Sequence, residues 1–114
     1  ARPSNVIEVK SESSQGSHSA PFPRALVEFF IKAFSDAGDV VFDPFMGSGT
    51  TMAAAHLLDR KGYGCEISPG YCDVILRRMV NLSCQTPMLE ATAEPFADVA
   101  AARGVDLVDT RKAA

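Results

Sequence analysis

The sequence predicts an α/β fold, a partial parallel sheet with flanking helices, and three observations carry that expectation. Val40-Val41-Phe42 is a β-branched and aromatic run suited to a buried parallel strand, and it ends in an acid, Asp43. Pro44 then stops the strand, and Gly47-Ser48-Gly49 forms a turn open to backbone angles or close approaches that other residues are denied. Thr50 to Leu58 is rich in helix formers and leads to a second strand-like run that closes on Glu66.

The elements follow in order. Ile7 and Val9 alternate with Glu8 and Lys10, so residues 4 to 10 suit a short strand, and Ser11 to Ser19 is a polar, serine-rich connection. Phe22-Pro23 starts a helix with proline near its first turn; Leu26, Phe29, Phe30, Ala33 and Phe34 give it an apolar stripe, and Gly38-Asp39 ends it. A strand over 40–43, a helix over about 48–60 and a strand over 62–67 come next, with Lys61-Gly62 as the break. Ser68 and Pro69 supply a cap and a first-turn proline for a helix that turns Cys72, Ile75, Leu76, Met79 and Val80 inward. Thr86 to Glu94 lacks periodicity, and Pro95 to Gly104 reads as a brief helix with a terminal glycine. No recognition helix follows it, so packing on the domain or on another chain is expected rather than a helix-turn-helix. The division is a lead-in over 1–19, a core over 20–83 and a helix and tail over 84–114.

Composition narrows the class. At 114 residues, 46% hydrophobic and 22% charged, the chain suits one ordinary domain, though a short one for a complete doubly wound sheet. Cys65, Cys72 and Cys84 show neither a Cys-x-x-Cys spacing nor a matching histidine set, so free thiols are expected and no metal centre. No apolar run approaches a membrane span and no signal segment opens the chain, which points to the cytoplasm. The start at Ala1-Arg2-Pro3, without methionine, suggests a fragment.

The glycine turn is the candidate site. It sits where free N–H groups and the positive end of a helix favour a carboxylate or phosphate, and in dinucleotide-type βαβ units an acid about 20 residues past the glycines hydrogen-bonds a ribose. Glu66 holds that position, so a nucleotide-type cofactor is expected. A purely structural turn is the plain alternative. A phosphate-binding P-loop is the sharper rival, but Thr50 stands where its lysine belongs and the first glycine of its spacing is missing.

Asp43-Pro44-Phe45-Met46-Gly47-Ser48-Gly49-Thr50 resembles the S-adenosyl-L-methionine-binding motif of DNA amino-methyltransferases, which methylate N6 of adenine or N4 of cytosine. His18-Ser19-Ala20-Pro21-Phe22-Pro23 looks like the segment that precedes this turn in the family and closes over the cofactor, with Ser19 in place of the more usual proline. Gly62 to Tyr71 is similar to the family's second strand, whose terminal acid contacts the ribose. The resemblance covers roughly residues 5 to 83 and implies a Rossmann-like fold.

On that resemblance the cofactor-binding set is His18, Ala20, Asp43, Pro44, Phe45, Gly47, Ser48, Gly49, Thr50, Glu66 and Ile67. Asp43 suits the cofactor's ammonium group, or else caps the following turn. Glu66 suits both ribose hydroxyls, or else is an exposed strand-end charge. Ser48 and Thr50 offer hydroxyls to the cofactor's carboxylate, or else cap the helix. Phe45 and Ile67 suit apolar walls, Ile67 beneath the adenine, or else pack in the core. The resemblance puts His18 beside the methionine portion; a lone histidine in a serine-rich loop is otherwise simply solvated.

The family's catalytic motif, Asp, Asn or Ser followed by Pro-Pro and an aromatic, does not occur in the sequence, and neither does a counterpart of its DNA-recognition region. In one circular order of the family both precede the cofactor segment, which fits a carboxyl-terminal piece with no catalytic residue of its own. A net charge of −3 likewise argues against a surface that tracks DNA unaided, so double-stranded DNA is expected to be met through regions outside this chain. The expected function is the cofactor-binding part of a DNA methyltransferase. A non-catalytic S-adenosyl-L-methionine-binding or interaction module that completes or regulates a partner is the alternative, and methylation of RNA or a small molecule is a weaker third.

Overall fold

Two strands, β1 (Val40–Asp43) and β2 (Lys61–Gly64), pair in parallel, Val40 opposite Lys61 through Asp43 opposite Gly64. The structure is a computed structural model and describes residues 6–10 and 23–105. Ahead of β1 lies α1 (Arg24–Phe34), α2 (Thr50–Leu57) makes the crossover, and α3 (Pro69–Ser83) follows β2. An antiparallel pair, β3 (Met88–Leu89) and β4 (Glu94–Pro95), then leads into α4 (Phe96–Ala102).

The centre of packing is α2. Ala53, Ala54 and Ala55 are 1%, 0% and 0% exposed, and Ala54 and Ala55 form the core with Val27 and Ile31 of α1, against which Val41 and Leu58 pack. Small residues let the helix lie close to the sheet: a Cβ on Gly62 would come within 2.5 Å of Met52 Sδ and 3.4 Å of Ala55 Cβ. Hydrogen bonds from Gly38 N–H to Asp59 carbonyl (2.7 Å) and from Lys61 N–H to Asp39 carbonyl (2.8 Å) set the entry of β2 beside β1. Arg60 joins the ends of two helices, donating from Nε to Ser35 Oγ (3.1 Å), from Nη2 to Ser35 carbonyl (2.6 Å) and from Nη1 to Leu58 carbonyl (2.5 Å).

Several expected boundaries move, each for a local reason. The crossover helix begins at Thr50 rather than 48 because Gly47 and Gly49 hold φ of 55° and 81°, and it stops at Leu57 where Asp59 turns to φ 59°. β2 ends at Gly64 rather than 67 because its partner ends at Asp43; the chain runs on with one bond each way, Cys65 N–H to Asp43 carbonyl and Met46 N–H to Cys65 carbonyl. α1 stops at Phe34, four residues before Gly38, with Ser35 extended and its hydroxyl donating to Ile31 carbonyl at 2.6 Å. Of the strand expected over residues 4–10, the described part, residues 6–10, forms no strand, and residues 4 and 5 lie outside the described residues.

The stripe expected on α1 is the wrong one. Val27 and Ile31 face the alanines of α2, whereas Phe30, Ala33 and Phe34 are exposed, Phe34 by 82%, and Leu26 and Phe29 are half-buried. The aromatic rings contact one another, Phe29 edge-on to Phe30 and Phe30 stacked with Phe34. On α3 only Ile75 is buried; Cys72, Leu76, Met79 and Val80 are half-buried. Pro69 does occupy the first turn, but the Ser68 side chain makes no cap bond. The β3–β4 hairpin has no counterpart among the expected elements, while the last helix and its glycine do: Gly104 takes φ 69° and the Val105 N–H returns to Ala100 carbonyl at 2.9 Å.

All three cysteines are free; Cys65 is exposed just past β2, Cys72 half-buried and Cys84 exposed. Thiol titration of the denatured, unreduced chain is expected to count three thiols, and a count of one would establish a disulfide against this reading. Among the described residues no helix is long and apolar enough to cross a membrane, and no group of three or more His, Cys, Asp or Glu side chains is placed to hold a metal.

Candidate functional site

The carboxyl ends of β1 and β2 and the amino end of α2 meet at the turn over residues 44–49. Met46 is buried beneath it, and Gly64 has to be glycine for that reason: a Cβ there would collide with the Met46 side chain and stand 2.8 Å from Asp43 carbonyl. Gly49 is constrained twice, by its left-handed backbone and by Ile75 of α3, whose Cγ1 would lie 3.0 Å from an added Cβ.

Glu66 spans the turn. Its Oε2 accepts the Gly47 N–H at 2.7 Å and its Oε1 accepts the Ser68 N–H at 2.9 Å, so one carboxylate ties the glycine turn to the amino end of α3. Asp43 accepts the Phe45 N–H on Oδ1 at 2.9 Å, which is the turn-capping role open to it. A carboxylate offers about four acceptor positions, so both acids keep capacity for a ligand. The first N–H groups of α2 have no acceptor within their own helix and point out at the turn, where the helix dipole favours negative charge.

The hydroxyls divide. Thr50 is buried, and its Oγ1 accepts from Arg78 Nη1 at 3.3 Å; the same nitrogen donates to Ser48 carbonyl at 3.3 Å. Ser48 Oγ lies 3.5 Å from Thr50 Oγ1, at the edge of hydrogen-bonding range. Arg78, together with Ile75 one turn earlier, braces the turn from α3, a role that sequence reasoning missed because it joins positions about 30 residues apart. Phe45 and Ile67 are exposed, Ile67 by 99%, on either side of the Glu66 carboxylate in sequence. Pro44 is exposed and Gly47 and Ser48 half-buried. Of the expected set, Asp43, Pro44, Phe45, Gly47, Ser48, Gly49, Thr50, Glu66 and Ile67 share this end of the sheet; His18 and Ala20 lie outside the described residues.

A family model described as DNA methylase matches residues 3–77, which contain both strands, the turn and the acids. The chain belongs to the N6/N4 DNA methylase family. Among family relatives, the orphan methyltransferase M.BamHII of Bacillus amyloliquefaciens is 53% identical over 64 residues, 56% of this chain and 24% of its own length. The type II methyltransferase M.SmaI of Serratia marcescens is 39% identical over 75 residues, 66% of this chain and 26% of its own. A candidate DNA modification methylase of Thermus thermophilus, solved in complex with S-adenosyl-L-methionine, superposes with a TM-score of 0.52 at 43% identity, covering 54% of this chain and 26% of that one. The chain thus spans about a quarter of the length of the methylases it matches.

Proposed function

We propose that this chain is the S-adenosyl-L-methionine-binding part of a site-specific DNA methyltransferase that modifies N6 of adenine or N4 of cytosine. The bridge from Glu66 to the Gly47 N–H carries the reading: it sets an acid across a glycine turn at the carboxyl ends of two parallel strands, where α/β sheets take their ligands. Asp43, Pro44, Phe45, the Gly47–Thr50 turn, Glu66 and Ile67 would hold the cofactor, with Glu66 accepting from the ribose hydroxyls and the α2 N–H groups facing the carboxylate. His18 and Ala20 complete that set by the family resemblance. Residues 20–83 form the cofactor core and 84–114 an appended helix and tail. Bound S-adenosyl-L-methionine supplies an electrophilic methyl group; the residues here bind and orient it. DNA is met through polypeptide outside this chain, in a cytoplasmic enzyme of restriction-modification type.

The uncovered face of the sheet supports a role within something larger. Val40, Phe42 and Tyr63 are exposed by 61%, 59% and 57%, although a parallel sheet normally has both faces covered. Titration calorimetry on the 114-residue chain tests the cofactor assignment: S-adenosyl-L-methionine and S-adenosylhomocysteine are expected to bind and ATP is not. Binding of ATP in preference to S-adenosylhomocysteine would return the turn to the phosphate-binding class.

A further inference from the structure

We propose that Arg78 is a positioning residue for the carboxylate of the bound cofactor, acting through the hydroxyls of Thr50 and Ser48 and touching no ligand itself; the inference rests on the S-adenosyl-L-methionine reading of the turn. One nitrogen makes both of its contacts to the turn. Arg78 Nη1 lies 3.3 Å from Thr50 Oγ1 and 3.3 Å from Ser48 carbonyl, reaching back from α3 across 28 and 30 positions. A guanidinium has five N–H donors and no acceptor, so in both contacts the oxygen of the turn accepts.

That sets the direction of the hydroxyls. Thr50 Oγ1 carries one proton of its own, and with Arg78 as its donor that proton has to go to an acceptor. Ser48 Oγ, 3.5 Å away, is the acceptor the described residues offer. The Ser48 hydroxyl then has its own proton left to give, and among the described residues Thr50 is its only hydrogen-bonding neighbour. Neither hydroxyl is taken up as a helix cap, since Gly49 stands at that position and no side-chain cap bond forms. Burial separates the two roles: Thr50 is 6% exposed, whereas Ser48 is half-buried. The donors therefore run from Arg78 through buried Thr50 to Ser48 at the turn, and the group that suits the end of such a chain is an anion. Each hydrogen bond in a chain polarises the next, here starting from a fixed cation. Arg78 also engages Ser48 carbonyl, an acceptor that would otherwise oppose a carboxylate. Glu66, an acceptor, suits the hydroxyls of the cofactor; this chain of donors suits its carboxylate.

The test is titration calorimetry of the 114-residue chain with S-adenosylhomocysteine and with its decarboxylated analogue, which keeps the adenosine, thioether and amine. The wild-type chain is expected to prefer S-adenosylhomocysteine by about tenfold or more. Arg78→Met should remove most of that preference, weakening S-adenosylhomocysteine by about tenfold and the analogue by no more than about twofold. A residue that only braces the turn would weaken both alike. Arg78→Lys should restore part of the preference, because both contacts leave a single nitrogen and an ammonium carries three donors. Ser48→Ala, at a half-buried position, should lose the same preference with the fold intact, and it decides the matter if the Arg78→Met chain does not fold. Combined with Arg78→Met it should cost S-adenosylhomocysteine little more, since members of one hydrogen-bond network are not additive. Equal weakening of both ligands by Arg78→Met, or an undiminished preference in Ser48→Ala, would overturn the proposal. Equal wild-type affinities would sink the relay and leave the cofactor reading standing, whereas binding of neither ligand would remove both.

Discussion

Labelled S-adenosyl-L-methionine and mixed-sequence DNA incubated with these 114 residues should yield no methylated base above background. Transfer to an exocyclic amino group needs acceptors for the amino hydrogens and a pocket for a base taken out of the stack, both within reach of the sulfonium methyl. The chain carries no Asp/Asn/Ser-Pro-Pro-aromatic segment to supply the acceptors, and its one Asp-Pro pair, Asp43-Pro44, is spent on the turn, where Asp43 holds the Phe45 N–H. Phe45 and Ile67 stand open to solvent beside the turn, so among the described residues nothing closes a base pocket over them.

Supplying a segment with the missing tetrapeptide, fused ahead of residue 1 or added as a second polypeptide, should restore transfer to N6 of adenine or N4 of cytosine. The surface for such a segment exists: the Val40, Phe42 and Tyr63 face of the sheet is apolar and open, and among the described residues β1 pairs on one edge only. Robust transfer by the 114 residues alone would defeat the division of labour proposed here and require a catalytic site built from other residues.

The parts of this fold that were legible in the sequence are those in which the deciding information is local. β1, the glycine turn, the crossover and the placement of Glu66 all sit within about 30 residues and are marked by composition, by Pro44 and by glycines whose left-handed backbone the structure displays. The stripe on α1 was not legible, because Leu26, Val27, Phe29, Phe30, Ile31, Ala33 and Phe34 put apolar groups on most of its circumference. Only the position of α2, whose alanines accept Val27 and Ile31, selects the buried side. Two-residue strands such as β3 and β4 have no periodicity to read. Arg78 escaped for a further reason. One arginine on a helix carries no signal until the fold brings Ser48 carbonyl and Thr50 Oγ1 to it.

Replacing Glu66 with alanine should cost both stability and cofactor affinity, and the two losses separate its roles. The variant leaves the Gly47 and Ser68 N–H groups without their acceptor; hydrogen bonds to a charged group contribute roughly 1.5–3 kcal/mol each, discounted here because the site is half-buried and water can replace part of it. A loss of about 1–3 kcal/mol lowers the melting midpoint by several degrees or more in a domain of this size. If the same carboxylate accepts the ribose hydroxyls, calorimetry should also show S-adenosylhomocysteine binding weakened by about tenfold or more. Glu66→Gln refines the result. Its amide has one acceptor oxygen, so it can keep the Gly47 bond only by turning its NH2 group toward the Ser68 N–H, and it should fall between the wild type and alanine in stability. A lowered midpoint with unchanged affinity, measured where the variant remains folded, would make Glu66 a brace of the turn and remove it from the cofactor site; affinity lost together with stability, and more steeply in alanine than in glutamine, is what a carboxylate holding both the turn and a ribose should produce.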